Sequence, residues 1–231
     1  MRIDYKLLSA ASKTFGFPLS EAQAELLDGF FALVTEANEK FNLTALTDAD
    51  SFTVKHLVDS LAGERFFPLN AKACDIGAGA GFPCVPLAVV RPDVDFTALD
   101  STEKKIVFVN SAVRKLGIDN VHGKCARAED CSDLSASFDV VCARAVASLP
   151  VLLELSFPLL KKGGFFVAYK TDISEAETAR NALKTLGGVL KDLFSFSLPN
   201  GDSRCIMCFE KQKDTPKAYP RRYSLIKKNP L

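Results

Sequence analysis

The chain has 231 residues, of which 48% are hydrophobic and 25% are charged, which is the composition of an ordinary globular protein. Its length is sufficient for one sizeable domain with a small appendage. No apolar run is long enough to span a bilayer, and the first residues lack the apolar stretch of a secretory signal, so we expect a cytoplasmic protein with no membrane contact.

The first 68 residues are predicted to be mostly helical. Ser20 and Gln23 form a capping box at the start of an amphipathic helix over 20–40, in which apolar residues recur at helical spacing. The segment 41–48 is predicted to be a loop, and a second helical stretch follows over 51–67. We expect residues 1–68 to form an N-terminal helical extension that packs on the rest of the protein.

From residue 70 the pattern changes to strands that alternate with helices. The predicted strands cover 72–76, 93–100, 120–126, 138–145, 165–170, 188–198 and 204–210. The predicted helices cover 81–90, 101–117, 149–164 and 173–186. This alternation implies an α/β fold with a doubly wound, mostly parallel sheet, and the last two strands, which have no helix between them, predict a final antiparallel strand. We place this domain at 69–210.

The remaining residues, 211–231, are predicted to be a basic tail. They carry seven Lys or Arg and one Asp, a net charge of +6, so the first 210 residues sum to −5 because the whole chain has a net charge of +1. A basic, proline-punctuated terminus on a mildly acidic body is suited to contact with a polyanion, although a solubilising tail would have the same composition. The candidate residues for such a contact are Arg221, Arg222, Lys227 and Lys228.

The seven cysteines are odd in number and irregularly spaced, which argues against a disulfide framework. Cys205 and Cys208 form a CxxC pair, but the pair lies in a strand-like run and no second pair accompanies it. We therefore favour buried thiols over a zinc or redox site, and we predict no metal.

Three glycines at alternate positions, Gly77, Gly79 and Gly81, follow the first strand of the predicted sheet. Ligands of doubly wound proteins bind at the carboxyl ends of the strands, where glycines permit a tight turn and close approach of the backbone. Asp100 ends the second strand and is placed to accept hydrogen bonds from two ribose hydroxyls. This arrangement fits nicotinamide or flavin dinucleotides and also S-adenosylmethionine, while a loop that serves only as a turn is the simplest alternative.

The glycine loop departs from the dinucleotide pattern in two ways. Phe82 occupies the position of the third glycine of that pattern, and Asp75 adds a negative charge beside the loop. A carboxylate is unfavourable beside a pyrophosphate but favourable beside a sulfonium or an ammonium group. The sequence therefore predicts a class I S-adenosylmethionine-dependent methyltransferase with a Rossmann-like sheet, and an NAD(P)-dependent oxidoreductase is the alternative.

Several stretches, taken in order, resemble the RsmG (GidB) family of bacterial small-subunit ribosomal RNA guanine-N7 methyltransferases. They are FNLTALTD with KHLVDSL, DIGAGAGFPCVPLAVVRPD, LDSTEKKIVFV, ARAED and FDVVCARAVASLPVLLELSFPLLKKGGFFVAYK. The resemblance covers roughly residues 36–228. It implies methyl transfer from S-adenosylmethionine to N7 of a guanine in 16S ribosomal RNA, with S-adenosylhomocysteine as the product. The implied partner is ribosomal RNA or the small subunit, the expected state is a monomer, and a noncatalytic RNA-binding assembly factor stays open as an alternative.

The resemblance also implies a set of site residues. The family's cofactor contacts fall on Gly77, Phe82, Asp100, Ala128, Glu129 and Arg144. Ala128 and Glu129 would flank the adenine, and Arg144 would face both the cofactor and the target base. Guanine N7 has an available lone pair, so its methylation needs no general base, and Arg144 and Lys170 are candidates for positioning the target. His56 and Asp59 would help to shape the target pocket.

Overall fold

The computed structural model describes residues 2–39, 43 and 48–231, so most of the predicted loop over 41–48 lies outside the described residues. Among the described residues, no helix is both long enough and apolar enough to cross a bilayer.

The N-terminal part is helical, as predicted. It contains α1 (Tyr5–Thr14), α2 (Glu21–Asn38), α3 (Ala49–Phe52), a π-helical segment (Thr53–Val58), α4 (Asp59–Leu61) and a 3₁₀ turn (Glu64–Phe66). The capping box of α2 is confirmed, because the Ser20 side chain accepts a hydrogen bond from the Gln23 backbone and the Gln23 side chain accepts one from the Ser20 backbone. The apolar face of α2 packs into a core that it shares with the sheet.

The π-helical segment is a feature that the sequence pattern did not predict. Such segments are rare, and they frequently occur at functional sites because the wider turn changes the direction of the side chains. Here the segment carries Lys55 and His56 and leads directly into Asp59.

A seven-stranded sheet forms the centre of the molecule, in the spatial order β3-β2-β1-β4-β5-β7-β6. Its strands are β1 (Lys72–Ile76), β2 (Asp95–Asp100), β3 (Val121–Cys125), β4 (Phe138–Arg144), β5 (Leu160–Lys170), β6 (Gly188–Ser197) and β7 (Ser203–Lys211). The first five strands are parallel, and β7 is antiparallel to both of its neighbours. The predicted fold class is thus confirmed, and the strand order reverses between β1 and β4, where ligands of such folds bind.

Helices cover both faces of the sheet. They are α5 (Cys84–Val90), α6 (Glu103–Leu116), α7 (Leu149–Ser156), α8 (Glu175–Thr178), α9 (Arg180–Leu186) and α10 (Tyr223–Lys228). The predicted end of α6 is confirmed, because Gly117 has a φ of +67° and its N–H caps the helix. One core lies between the sheet and the N-terminal helices, and a second core lies beneath α7, α9 and α10.

The prediction of a helix over 149–164 was wrong at its C-terminal end. α7 stops at Ser156, and β5 begins at Leu160, so the double glycine lies inside a strand. Pro158 has no N–H with which to extend the helical hydrogen bonds. A Cβ on Gly164 would approach a backbone oxygen of β4 to 2.9 Å, and the register of β4 and β5 shifts here. Gly164 therefore allows the backbones of β4 and β5 to approach closely where their register shifts, and the double glycine does not cap a helix.

All seven cysteines are free, and six of them are buried; Cys125 is the exposed one. Cys205 and Cys208 lie three residues apart on β7, and they pack into the cores on opposite faces of the sheet. Such an arrangement prevents the two thiols from binding one ion together. Within 2–39, 43 and 48–231, no cluster of side chains has the composition of a metal site.

Candidate active site

The glycine loop connects β1 to α5 at the point where the strand order reverses. Its three glycines have φ values of +70°, +59° and +98°, which residues with a Cβ rarely adopt. The Gly77 N–H donates to the Leu99 carbonyl at 2.7 Å, and a Cβ on Gly77 would come within 2.6 Å of Val146. A Cβ on Gly79 would meet nothing closer than 3.9 Å, so the backbone here faces open space.

Asp100 connects the glycine loop to the start of α6. One carboxylate oxygen accepts a hydrogen bond from the Gly79 N–H at 3.0 Å, and the other accepts one from the Thr102 N–H at 2.8 Å. The Lys105 ammonium lies 3.5 Å from the same carboxylate. The side chain is 8% exposed, so it is held rigidly with only its edge toward solvent.

A cavity of about 310 Å³ opens in front of Asp100, at the carboxyl ends of β1 to β4. We call it the Asp100 cavity, and its walls include Gly77, Asp100, Ala128, Glu129, Ala145, Val146, Leu155 and Tyr223. Four residues predicted to bind a cofactor are therefore brought together here. Ala128 and Glu129 lie in the 3₁₀ turn that follows β3, and the Glu129 side chain is only 8% exposed.

Two of the predicted cofactor residues lie behind the glycine loop and not in the wall of the Asp100 cavity. Asp75 is fully buried; one of its oxygens accepts a hydrogen bond from the Cys84 N–H at 3.1 Å, at the start of α5. Its other oxygen has no hydrogen-bond partner among the residues that the structure describes. Burial raises the pKa of Asp75 to about 7, against the opposing effect of the hydrogen bonds that it accepts.

Phe82 is the second of these residues. Its ring stacks on the His56 imidazole, with 4.4 Å between the ring centroids and an angle of 10° between the planes. The Arg144 guanidinium carbon lies 5.3 Å from the centroid of the same ring. Phe82 therefore connects the glycine loop to the side chains around Arg144.

A second cavity of about 440 Å³ adjoins the first, and Ala145 lines both. We call it the Arg144 cavity, and its walls include Lys55, His56, Asp59, Arg144, Lys170, Glu175 and Arg204. The structure thus brings together the two predicted target-positioning residues and the two residues of the π-helical region that were expected to shape the target pocket. The Lys170 ammonium donates to the Ala147 carbonyl at 2.8 Å and pairs with Glu175 at 2.7 Å.

Arg144 is held by the end of the π-helical segment. Its guanidinium donates to the Lys55 carbonyl and to Asp59, each at 3.1 Å, and to the Nδ1 of His56, also at 3.1 Å. A guanidinium can only donate, so Nδ1 of His56 carries no proton. Burial, together with the charge of Arg144, lowers the pKa of His56 to about 3, and the imidazole is therefore neutral at physiological pH.

Arg204 of β7 is a residue of this cavity that the sequence analysis missed. Its Nε lies 3.4 Å from Asp59, so one buried carboxylate lies between two guanidiniums. Burial raises the pKa of Asp59, and the charges of Arg144 and Arg204 oppose that shift. A single arginine in a late strand has no spacing signal that would connect it with the N-terminal helices.

We expect Asp59→Asn to lower the free energy of unfolding by about 2 kcal/mol, because both guanidiniums lose their shared counter-charge. Urea denaturation at neutral pH measures the change. Asp202→Asn is the matched control, since Asp202 also lies near Arg204, at 3.6 Å, but its side chain is 43% exposed. Such an exposed pair contributes about 0–1 kcal/mol. Equal stability of the two variants would contradict the bridging role of Asp59.

The basic tail is anchored on the sheet domain by one of its predicted RNA-binding residues. Arg221 donates through Nε and Nη2 to the fully buried Glu154 of α7, at 2.8 and 2.5 Å, and its backbone N–H donates to the same carboxylate at 3.0 Å. Arg222, Lys227 and Lys228 are exposed. The structure therefore separates one structural arginine from three cations that are open to solvent.

Comparisons with known proteins agree on one family. The model of the family described as rRNA small subunit methyltransferase G matches residues 23–201. Ribosomal RNA small subunit methyltransferase G of Streptococcus pyogenes serotype M12 (strain MGAS2096) is 45% identical over 224 residues, which covers 94% of each chain. The protein of the same name from Streptococcus gordonii (strain Challis) is 42% identical over an alignment of 235 residues, which covers 98% of each chain.

Solved structures show the same fold at low sequence identity. TYW2 of M. jannaschii in complex with AdoMet has a TM-score of 0.56 and 18% identity, with 66% of this chain and 74% of that chain covered. A SAM dependent methyltransferase from Aquifex aeolicus has a TM-score of 0.55 and 14% identity, with 76% of this chain and 97% of that chain covered.

Proposed function

The chain belongs to the rRNA small subunit methyltransferase G family and is an S-adenosylmethionine-dependent rRNA methyltransferase, and on this premise we propose that it methylates N7 of a guanine in small-subunit ribosomal RNA. The observation that supports this assignment is that two cavities of different chemistry adjoin each other. The Asp100 cavity has the acceptors that a nucleoside needs, and the Arg144 cavity, which is rich in cations, adjoins it at Ala145.

The Asp100 cavity suits S-adenosylmethionine in its chemistry. The carboxylate of Asp100 offers oxygens to ribose hydroxyls, and Ala128 and Glu129 present an apolar and an acidic contact on the side assigned to adenine. The open backbone at Gly79 permits close approach of a ligand. S-adenosylmethionine supplies an electrophilic methyl group on a sulfonium. In this proposal Asp75 and Phe82 act from behind the wall, where Asp75 holds the start of α5 and Phe82 packs against His56 and Arg144.

The Arg144 cavity orients the target base and does not remove a proton from it. N7 of guanine attacks with its own lone pair, so the chain's task is to align the base in line with the methyl group. The neutral His56 and the fixed guanidinium of Arg144 are rigid polar surfaces for a purine, and Lys170, paired with Glu175, lies at the same edge. N7 is accessible in loops and distorted helices of RNA, and hardly accessible in a regular A-form helix.

We further propose that the helical extension 1–68, the methyltransferase domain 69–210 and the basic tail 211–231 work together as one monomer. The shared core of the N-terminal helices and the sheet supports this proposal, and so does the anchoring of the tail through Arg221. We place the protein in the cytoplasm, where the small ribosomal subunit is found.

The three exposed tail cations are expected to contact RNA phosphates. Replacing Lys227 and Lys228 together by alanine should reduce the slope of log K against log salt by about 1.4, since each phosphate contact on single-stranded RNA contributes about 0.7. Filter binding at several salt concentrations measures the slope. The control replaces Lys161 and Lys162 by alanine, which removes the same charge at the N-terminal end of β5, outside the tail. An equal change of the slope in that control would contradict a tail contact.

The experiment that tests the function is methyl transfer with the purified protein. Small-subunit RNA from cells that lack this protein is incubated with the purified protein and S-adenosylmethionine. The RNA is then digested to nucleosides and analysed by mass spectrometry. We expect 7-methylguanosine to appear and to be absent from the unreacted RNA. Methylation at another atom would overturn the N7 assignment, and RNA binding without methyl transfer would indicate a noncatalytic assembly factor.

A further inference from the structure

The C-terminal segment that carries the predicted RNA contacts also reaches the Asp100 cavity. Tyr223, the first residue of α10, lines this cavity together with Ala128 and Leu155. Its side chain is half-buried, and it packs against the core that contains both of those residues. An aromatic ring therefore lies in the wall of the same cavity as Ala128, which the family resemblance places beside adenine.

Two contacts fix Tyr223 in this position. On its N-terminal side, Arg221 is held by three hydrogen bonds to Glu154, a carboxylate that is completely buried in α7. On its C-terminal side, Ile226 is fully buried in the core beneath α7. Because both anchors act on the backbone within three residues of Tyr223, the ring is presented by a docked segment and not by a free tail.

We propose that Tyr223 is a cofactor-binding residue, whose ring packs against the adenine of S-adenosylmethionine. The proposal rests on the assignment of the Asp100 cavity to this cofactor. Aromatic side chains bind purines by stacking on the face of the base, and this contact requires no hydrogen bonds. A single ring in the wall of the cavity is sufficient for it. The proposal assigns the contact to the ring of Tyr223 and gives its hydroxyl no part in it.

The proposal gives the tail two functions on neighbouring residues. Arg222, Lys227 and Lys228 point to solvent, where RNA can reach them, while Tyr223 and Ile226 face the protein. Removing the whole tail is therefore expected to weaken cofactor binding as well as RNA binding, and single substitutions are needed to separate the two effects.

The test compares two ligands by calorimetry on the full-length protein. S-adenosylhomocysteine contains the adenine, the ribose and the amino-acid arm, whereas 5′-methylthioadenosine contains the adenine, the ribose and a methylthio group but no amino-acid arm. We expect Tyr223→Ala to weaken the binding of both ligands by the same factor, roughly tenfold, because stacking contributes equally to the two affinities. Tyr223→Phe should retain wild-type affinity. Leu225→Ala is the matched control, since Leu225 lies on the same helix, is 49% exposed and does not line the cavity.

The outcomes distinguish the proposal from its alternatives. Affinities of Tyr223→Ala equal to those of Leu225→Ala would overturn it, and so would a loss confined to S-adenosylhomocysteine, because the contact would then be with the amino-acid arm. If limited trypsin digestion shows that Tyr223→Ala releases the tail, Tyr223→Leu replaces it in the test. A Tyr223→Leu protein whose tail stays docked and whose affinity for both ligands falls by the same factor supports stacking. Wild-type affinity of Tyr223→Leu for the two ligands overturns the proposal. Failure of the wild-type protein to bind either ligand would contradict the proposed function itself.

Discussion

Asp100→Ala is expected to bind S-adenosylmethionine at least about a hundredfold more weakly than the wild-type chain. The carboxylate would accept hydrogen bonds from two ribose hydroxyls, and hydrogen bonds to a charged group contribute about 1.5–3 kcal/mol each. The same oxygens hold the Gly79 and Thr102 N–H groups, so we expect the free energy of unfolding to fall by about 1–2 kcal/mol with the fold retained. Calorimetry and urea denaturation measure the two effects.

The control for Asp100→Ala is Asp130→Ala. Asp130 is an exposed acid in the 3₁₀ turn that contributes Ala128 and Glu129, but it does not line the Asp100 cavity. Its removal changes the charge of the region without removing an acceptor from the wall, so the affinity should stay at the wild-type value. If Asp100→Ala also retained wild-type affinity, the ribose would not lie at Asp100.

Asp75→Asn is expected to become more stable than the wild-type chain as the pH rises. Burial raises the pKa of Asp75 to about 7 in the folded protein, from an ordinary value of 3.8. Between these two values the unfolded chain loses the proton while the folded protein keeps it, so the wild-type chain loses stability as the pH increases toward 7 and no more above it. The asparagine does not titrate, so its advantage should grow to about 4 kcal/mol at pH 8.

Urea denaturation of the protein without ligand, at intervals from pH 4.5 to pH 8, measures this difference in stability. Asp119→Asn is the control, because Asp119 is an exposed aspartate just after α6, so its substitution removes the same charge outside the core. A difference for Asp75→Asn that is constant across the range would mean that Asp75 is ionised in the folded state throughout.

Much of the fold could be predicted from the sequence, because local signals coincide with the tertiary structure in most elements. β1 has the predicted bounds of 72–76, and α6 ends at the predicted glycine, because apolar alternation and a left-handed glycine act locally. The end of α7 could not be predicted in this way. There the pairing of Leu160 with Phe138 on β4 draws into the sheet residues that have a helical local pattern.

The candidate site shows the same division. Gly77 and Asp100 could be predicted because they lie at the carboxyl ends of β1 and β2, and the topology brings such positions to one edge of the sheet, whereas Ala128 was implied only by the family resemblance. Arg204 and Tyr223 come from a late strand and from the tail, and only tertiary packing brings them to the cavities. Whether a side chain faces a cavity or supports its wall is also a matter of packing, as Asp75 and Phe82 illustrate.

The unequal burial of the cysteines means that ligand binding can be followed by thiol labelling of the wild-type chain. Cys125 is exposed, pairs across the sheet with Asp100 and precedes Ala126 in the wall of the Asp100 cavity. Burial raises the pKa of the other six thiols, so their reactive thiolate form is suppressed. A thiol-specific fluorophore should therefore attach at a single natural position, and slower labelling in the presence of S-adenosylmethionine would measure occupancy of the site without any substitution.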